Sequence, residues 1–203
     1  VLEVWGLSGS SPAQDRHRGF MEVLNSRIKV KEIFGKWKPE TVEKEIAEMD
    51  SLEEVDVVFA HNDVMAMAAR RAIERMHPGL ADRICFVGID AVSGRGSGLE
   101  AVMHGELAAS VLYPTGGSLA IRVAMQILNG EDVSRQYLLS SALIDKNNAG
   151  MLFIQSEQVV DYQHQIELQR ENLESMLSKY TFLQNSVGII LLLMGMLLLS
   201  ALY

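Results

Sequence analysis

The chain has 203 residues, 48% of them hydrophobic and 22% charged, with a formal net charge of −8. That balance excludes a disordered or collagen-like polymer, and the acidic excess argues against a nucleic-acid surface, which needs clustered Lys and Arg. The single cysteine, Cys85, excludes an internal disulfide framework and a Cys-rich zinc site.

Residues 1–146 alternate short apolar runs with amphipathic stretches. Val1 to Trp5 reads as a strand, followed by a turn over residues 6–11 and a helix from Arg16 to Ser26. Ile28 to Phe34 alternates like a strand, and Pro39 opens a helix to Leu52, at a position where its missing N–H costs nothing. Val55 to Ala60 is a strand, and Asn62 or Asp63 caps a helix running to Met76. Arg83 to Gly88 is a buried strand carrying Cys85, which is expected to be inert there. A Gly-rich loop over residues 93–98 leads to a short helix ending at Gly105. A strand (107–112), a helix (114–129) and a last strand (137–144) follow. Strands alternating with helices predict a parallel sheet covered on both faces.

Residues 156–186 change character, after a linker at 147–155. Val159, Tyr162, Ile166, Gln169, Leu173, Met176, Tyr180 and Leu183 recur at spacings of three and four. That period is the seam of a coiled-coil stalk, expected to be a parallel homodimer with Gln169 as its one polar layer. From Val187 to Tyr203 there is no charge over 17 residues, the lower limit for a membrane span. Tyr180, Phe182 and Tyr203 are candidate interfacial anchors. The chain lacks an initiator Met and stops where the span would end, so both ends are expected to be cut from a longer protein.

Ligands of an open parallel sheet bind beyond the carboxyl ends of its strands. That rule selects Gly6, Leu7 and Ser8 after the first strand, Trp37 after the second, and His61, Asn62 and Asp63 after the third. It adds Ile89 and Asp90 after the fourth and Tyr113 after the strand ending at Leu112, with Arg16 near the same rim. Amides, carboxylates and a guanidinium make paired hydrogen bonds to adjacent hydroxyls, and an indole covers the apolar face of a sugar ring. The set suits a neutral polyol or sugar. Taken singly, Asn62 is as well explained as a helix cap, Trp37 as a plug at the domain edge, and Arg16 as a surface partner of Asp15 or Glu22. Enzyme signals are weak: residues 94–98 have the wrong spacing for a dinucleotide loop, and HExxH, GxSxG and GxxxxGK[ST] do not occur. The five histidines lack metal-ligand spacing, so neither metal nor cofactor is expected.

Residues 6–20 (GLSGSSPAQDRHRGF), 55–73 (VDVVFAHNDVMAMAARRAI), 84–91 (ICFVGIDA) and 105–114 (GELAASVLYP) resemble the type I periplasmic binding proteins of the ribose-binding class and the related sugar-responsive repressors. The resemblance spans residues 1–146 and corresponds to the second lobe plus the C-terminal part of the first, the rest of which is not in this sequence. It implies an α/β fold whose parallel-sheet lobe is followed by the coiled-coil helix and one transmembrane helix. It implies sugar contacts by Arg16 of RxxGF, Trp37, Asn62 of the FAxND-like motif, Asp90 after VG[IF] and the apolar Leu7. Tyr113 stands where the family holds a hinge-proximal polar residue, often Gln. A binding lobe joined to a stalk and span is similar to the periplasmic sensor region of hybrid two-component histidine kinases in the inner membrane. The expectation is therefore a membrane-anchored sugar sensor whose kinase lies outside this chain. The alternatives are a substrate-binding protein of a sugar ABC transporter and a repressor effector domain.

Overall fold

The computed structural model describes residues 1–200, with side chains through Leu197. One sheet contains β1 (Leu2–Trp5), β2 (Lys31–Phe34), β3 (Val57–Ala60), β4 (Cys85–Asp90), β5 (Ala109–Leu112) and β6 (Ala142–Asp145), in the order β2-β1-β3-β4-β5-β6. β1 to β5 are mutually parallel, and β6 runs antiparallel to β5, pairing Ala142 with Leu112 and Asp145 with Ala109. The sheet is thus parallel-dominated, not wholly parallel. The helices are α1 (Ser11–Val23), α2 (Pro39–Ala47), α3 (Asp63–Met76), α4 (Gly98–Met103), α5 (Gly117–Leu128) and α6 (Ala149–Ser200), and a 3₁₀ turn covers Ala81–Arg83.

β1 sits inside the sheet and all four of its residues are buried, as expected for a parallel strand covered on both faces. The next strands across the sheet, β3 and then β4, contribute Val58 and Phe86 to the same core, which α2 and α3 close with Val42, Ile46, Met65, Ala69 and Ile73. The alanines of α3 (Ala66, Ala68, Ala69 and Ala72) are fully buried; their small side chains let the helix backbone approach its neighbours closely. Each buried Leu, Ile or Phe here is worth roughly 1.5–3 kcal/mol relative to exposure.

Several sequence expectations shift. α1 begins at Ser11, earlier than expected, because Pro12 occupies the first turn and suits it. β2 begins only at Lys31, since pairing with β1 starts there and Ile28 stays exposed. Cys85 is exposed, at the first position of β4, which overturns its expected burial. The stretch 147–155 is helical from Ala149: Ala149 is fully buried, and Leu152 and Phe153 pack against the core, a stripe that ties the first turns of α6 to the domain. The Asn148 side chain accepts from Asp145 N–H (2.9 Å) and donates to the Leu143 carbonyl (2.9 Å), turning the chain from β6 into this helix.

α5 buries none of its residues. Ile121, Met125 and Leu128 are exposed, as are Leu138 and Leu143 nearby in sequence, and an apolar groove of 420 Å³ runs between α5 and Tyr137–Leu139. Apolar area of this extent is ordinarily covered by another surface.

The chain divides into two compact units, Val1–Ser156 and the part from Glu157 onward. In the second unit, Val159, Tyr162, Ile166, Leu173, Met176, Tyr180 and Leu183 are all exposed on α6. Arg170 and Glu174 pair at 3.2 Å one turn apart. The hydroxyls of Thr181 and Ser186 donate to the carbonyls of Leu177 and Phe182, each at 2.9 Å. α6 is long and apolar enough to cross a membrane. The proposed anchor Tyr203 and the end of the span lie outside the described residues.

Candidate functional site

The carboxyl ends of β1 to β5 converge on Arg16, which projects from α1. Its Nη1 donates a short hydrogen bond to the carbonyl of His61, the residue that follows β3. Its Nη2 reaches Asp90 Oδ1, at the end of β4, at 3.1 Å. The guanidinium also lies 5.3 Å from the Trp37 ring centre and 5.1 Å from that of Tyr113, within the range of cation–π attraction. Trp37, Asp90 and Tyr113, selected independently from three strand ends, and Arg16 from the first helix therefore form one cluster. A cleft of 460 Å³ opens beside it, lined by Arg16, Ile89, Leu112, Tyr113 and Leu139 among others.

Each member is held by local backbone geometry. Trp37 follows Lys36 in a left-handed pair (φ 64° and 54°), a costly conformation for non-glycine residues that persists only where the surroundings impose it. Its ring lies so close to Gly6 that a Cβ there would meet Trp37 Cζ2 at 2.2 Å. Asp90 and Ala91 form a second left-handed corner (φ 117° and 47°). Asp63 holds that corner: Oδ2 accepts from Ala91 N–H at 2.7 Å, and Oδ1 accepts from Ser110 Oγ at 2.6 Å. Gly88 and Gly98 leave the space that the Asp63 carboxylate fills. Burial pushes the Asp63 carboxyl up to about 6, against the opposing bonds from Ser110 and Ala91. Burial also raises Asp90, with Arg16 acting in the other direction.

Asn62 is the N-cap of α3, and its Oδ1 accepts from Met65 N–H at 3.0 Å. Its Nδ2 has no hydrogen-bond partner among the described residues, so it caps and still carries two free donors. Leu7 is half-exposed in the loop after β1, where its carbonyl accepts from Ser10 N–H and Oγ. No hydrogen bond or ring contact among the described residues ties it to Arg16. Tyr113 is 55% exposed, and its N–H donates to the Asp90 carbonyl. The rim thus presents a carboxylate, an amide, a guanidinium and two aromatic faces.

Sequence reasoning missed the support beneath the rim. His61 is fully buried; its Nδ1 accepts from Gly6 N–H at 3.2 Å and its Nε2 donates to the buried Glu3 Oε1 at 2.9 Å. The available signal was Glu3 itself, a charge inside the apolar run Val1–Trp5. Asp63 stood in the motif beside Asn62, but its partners Ala91 and Ser110 are 28 and 47 residues away.

The sequence profile of the periplasmic binding protein domain family matches residues 1–132. The chain is 32% identical over 153 residues to the ribose import binding protein RbsB of Salmonella typhimurium, covering 72% of this chain and 49% of that protein. It spans about half the length of the curated relatives it matches. Among solved structures, the fructose-binding periplasmic domain of a hybrid two-component system is 33% identical with a TM-score of 0.74, over 82% of this chain and 56% of that one. A Mycobacterium smegmatis protein in complex with β-D-fucofuranose is 26% identical with a TM-score of 0.68, over 79% and 54%. With most of its length matched by the family profile and its rim assembled at the strand ends, the chain belongs to the periplasmic binding protein domain family.

Proposed function

We propose that residues 1–146 are the sugar-holding lobe of a membrane-anchored extracytoplasmic sensor. The observation that carries the reading is the single guanidinium of Arg16 gathering Asp90, Trp37, Tyr113 and the His61 carbonyl at one sheet edge. In this reading Asp90 and Asn62 bond adjacent sugar hydroxyls, Trp37 covers the apolar ring face, and Leu7 and Tyr113 border it. The rest of the first lobe closes over the ligand from the side of the apolar α5 surface. Residues 156–186 then pair as a parallel dimeric coiled coil, residues 187–203 cross the inner membrane with the lobe in the periplasm, and a kinase lies beyond. Closure of the lobes biases the stalk between two states. The likeness to a two-component sensor domain and the apolar part of α6 support this arrangement.

The second reading is a binding protein serving a sugar transporter, favoured by the likeness to ribose import binding proteins. A calorimetric screen of the intact protein against ribose, fructose, other pentoses and hexoses, and myo-inositol tests the shared core of both. One-to-one binding of one sugar is expected, and no heat from any of them overturns sugar recognition. Phosphotransfer that responds to that sugar in membranes separates sensor from transporter component.

A further inference from the structure

Beneath the rim, on the far side of His61, three donor groups from three different elements converge. Glu3 lies in β1, His17 in α1 and Glu32 in β2. Their ligating atoms all fall within 4.8 Å of one another. His17 Nδ1 is 3.0 Å from Glu3 Oε2 and 3.9 Å from Glu32 Oε1. A metal bound at about 2.0–2.1 Å with tetrahedral geometry holds its ligands roughly 3.4 Å apart, so these separations need only small side-chain adjustments.

The charge balance points the same way. Among the described residues, no Lys or Arg pairs with Glu3 or Glu32. His61 accepts from Gly6 N–H at Nδ1 and brings Glu3 Oε1 one hydrogen bond from Nε2. Two carboxylates therefore meet at His17 with no Lys or Arg paired to them among the described residues, and Glu3 is fully buried. A buried carboxylate needs compensating charge, and a divalent cation supplies it.

The surroundings also orient the ligands. His61 bonds Glu3 Oε1 at 2.9 Å while both Glu3 oxygens lie 3.0–3.1 Å from His17 Nδ1, and such an outer-shell bond sets ligand direction in metal sites. The Trp5 ring lies 4.3 Å from the His17 ring and limits its rotation. His17 and Glu32 are 29% and 41% exposed, which leaves the cation a route in from solvent.

We propose that Glu3, His17 and Glu32 form a divalent cation site with a fourth, water position. An imidazole with two carboxylates suits zinc and disfavours magnesium and calcium, which prefer all-oxygen sites. The site lies under the sugar rim and uses none of the rim side chains, so it does not depend on sugar recognition.

The test is competition between the full chain in detergent and a chromophoric zinc chelator. One zinc per chain is expected. His17→Gln and Glu32→Gln each weaken zinc binding by about 100-fold, at or beyond the 10–100-fold typical of losing an outer-shell partner. His164→Gln, on the exposed part of α6, leaves it unchanged. Zinc raises the unfolding temperature of the wild type and not of His17→Gln. Magnesium does not compete. Failure of the wild type to bind zinc overturns the proposal, as does wild-type affinity in both His17→Gln and Glu32→Gln. Glu32 is on the surface, so its variant decides the matter even if His17→Gln folds poorly.

Discussion

Arg16 and Asp90, 74 residues apart in sequence, meet at 3.1 Å with side chains only 13% and 30% exposed. The pair joins the first turns of α1 to the end of β4, across the carbonyl that follows β3. Arg16 has spent two donors on protein acceptors and presents its face to two rings. It is therefore a fixed hub, and Asp90 Oδ2 and Asn62 Nδ2 add polar capacity beside its three remaining N–H groups.

Asn62 has separable roles. Asn62→Asp keeps the oxygen that caps α3 but removes the amide donors. Sugar affinity should fall by roughly 1–3 kcal/mol, the cost of leaving a polar partner unpaired, with the unfolding temperature unchanged. Asn62→Ala should lose both affinity and about 1 kcal/mol of stability. Calorimetry and thermal unfolding of the two variants check this; equal stability loss in both would mean that the Asn62 oxygen is not the cap.

The core strands were legible because β1, β3 and β4 are largely apolar runs, interrupted in β1 by Glu3, as buried parallel strands tend to be. The direction of β6 was not, since a two-residue period is the same for a strand run either way. Leu152 and Phe153 read as linker because their contacts are with the core and not with each other. The rim positions followed from the strand-end rule alone, but the Asp63–Ser110 and Glu3–His61 bonds join residues 47 and 58 apart, and nothing local marks them.

Gly6 tests the seat of Trp37. A Cβ at Gly6 would lie 2.2 Å from the indole, whereas one at Gly9 meets nothing within 4 Å. Gly6→Ala should cost about 1–3 kcal/mol by overpacking and weaken sugar binding by displacing the ring. Gly9→Ala should change neither. Thermal unfolding and calorimetry of the pair are the check, and equal behaviour of the two variants would contradict the packing.

Asp63 gives a pH dependence. Its carboxyl rises from 3.8 to about 6 on burial, so between these values the folded chain retains a proton that the unfolded chain has lost. The resulting stabilisation is complete below the lower value and is lost as pH rises through the upper one, for a change of about 3 kcal/mol. Asp63→Asn has no such group. Its unfolding temperature, measured from pH 4 to 7, should gain on the wild type as pH rises; parallel curves would show that Asp63 does not carry this slope.

The proposed dimeric stalk can be tested by cross-linking. In a Cys85→Ser background, required because Cys85 is exposed, single cysteines at 166, 169 and 173 should cross-link efficiently in membranes, and those at 167, 168 and 171 weakly. Gln169→Leu should tighten the dimer and hold the output in one state at any sugar level. Equal cross-linking at all six positions, or none, would remove the dimer seam from the account.

The most direct test of the rim is the affinity of the intact protein for its sugar in Asp90→Ala and Trp37→Ala, measured by titration calorimetry beside the wild type. In the proposed site, Asp90→Ala would remove a hydroxyl acceptor and Trp37→Ala the face that covers the ring. Each should weaken binding by roughly 5- to 150-fold, the equivalent of about 1–3 kcal/mol. Wild-type affinity in both variants would contradict the assignment of this sheet edge as the sugar site.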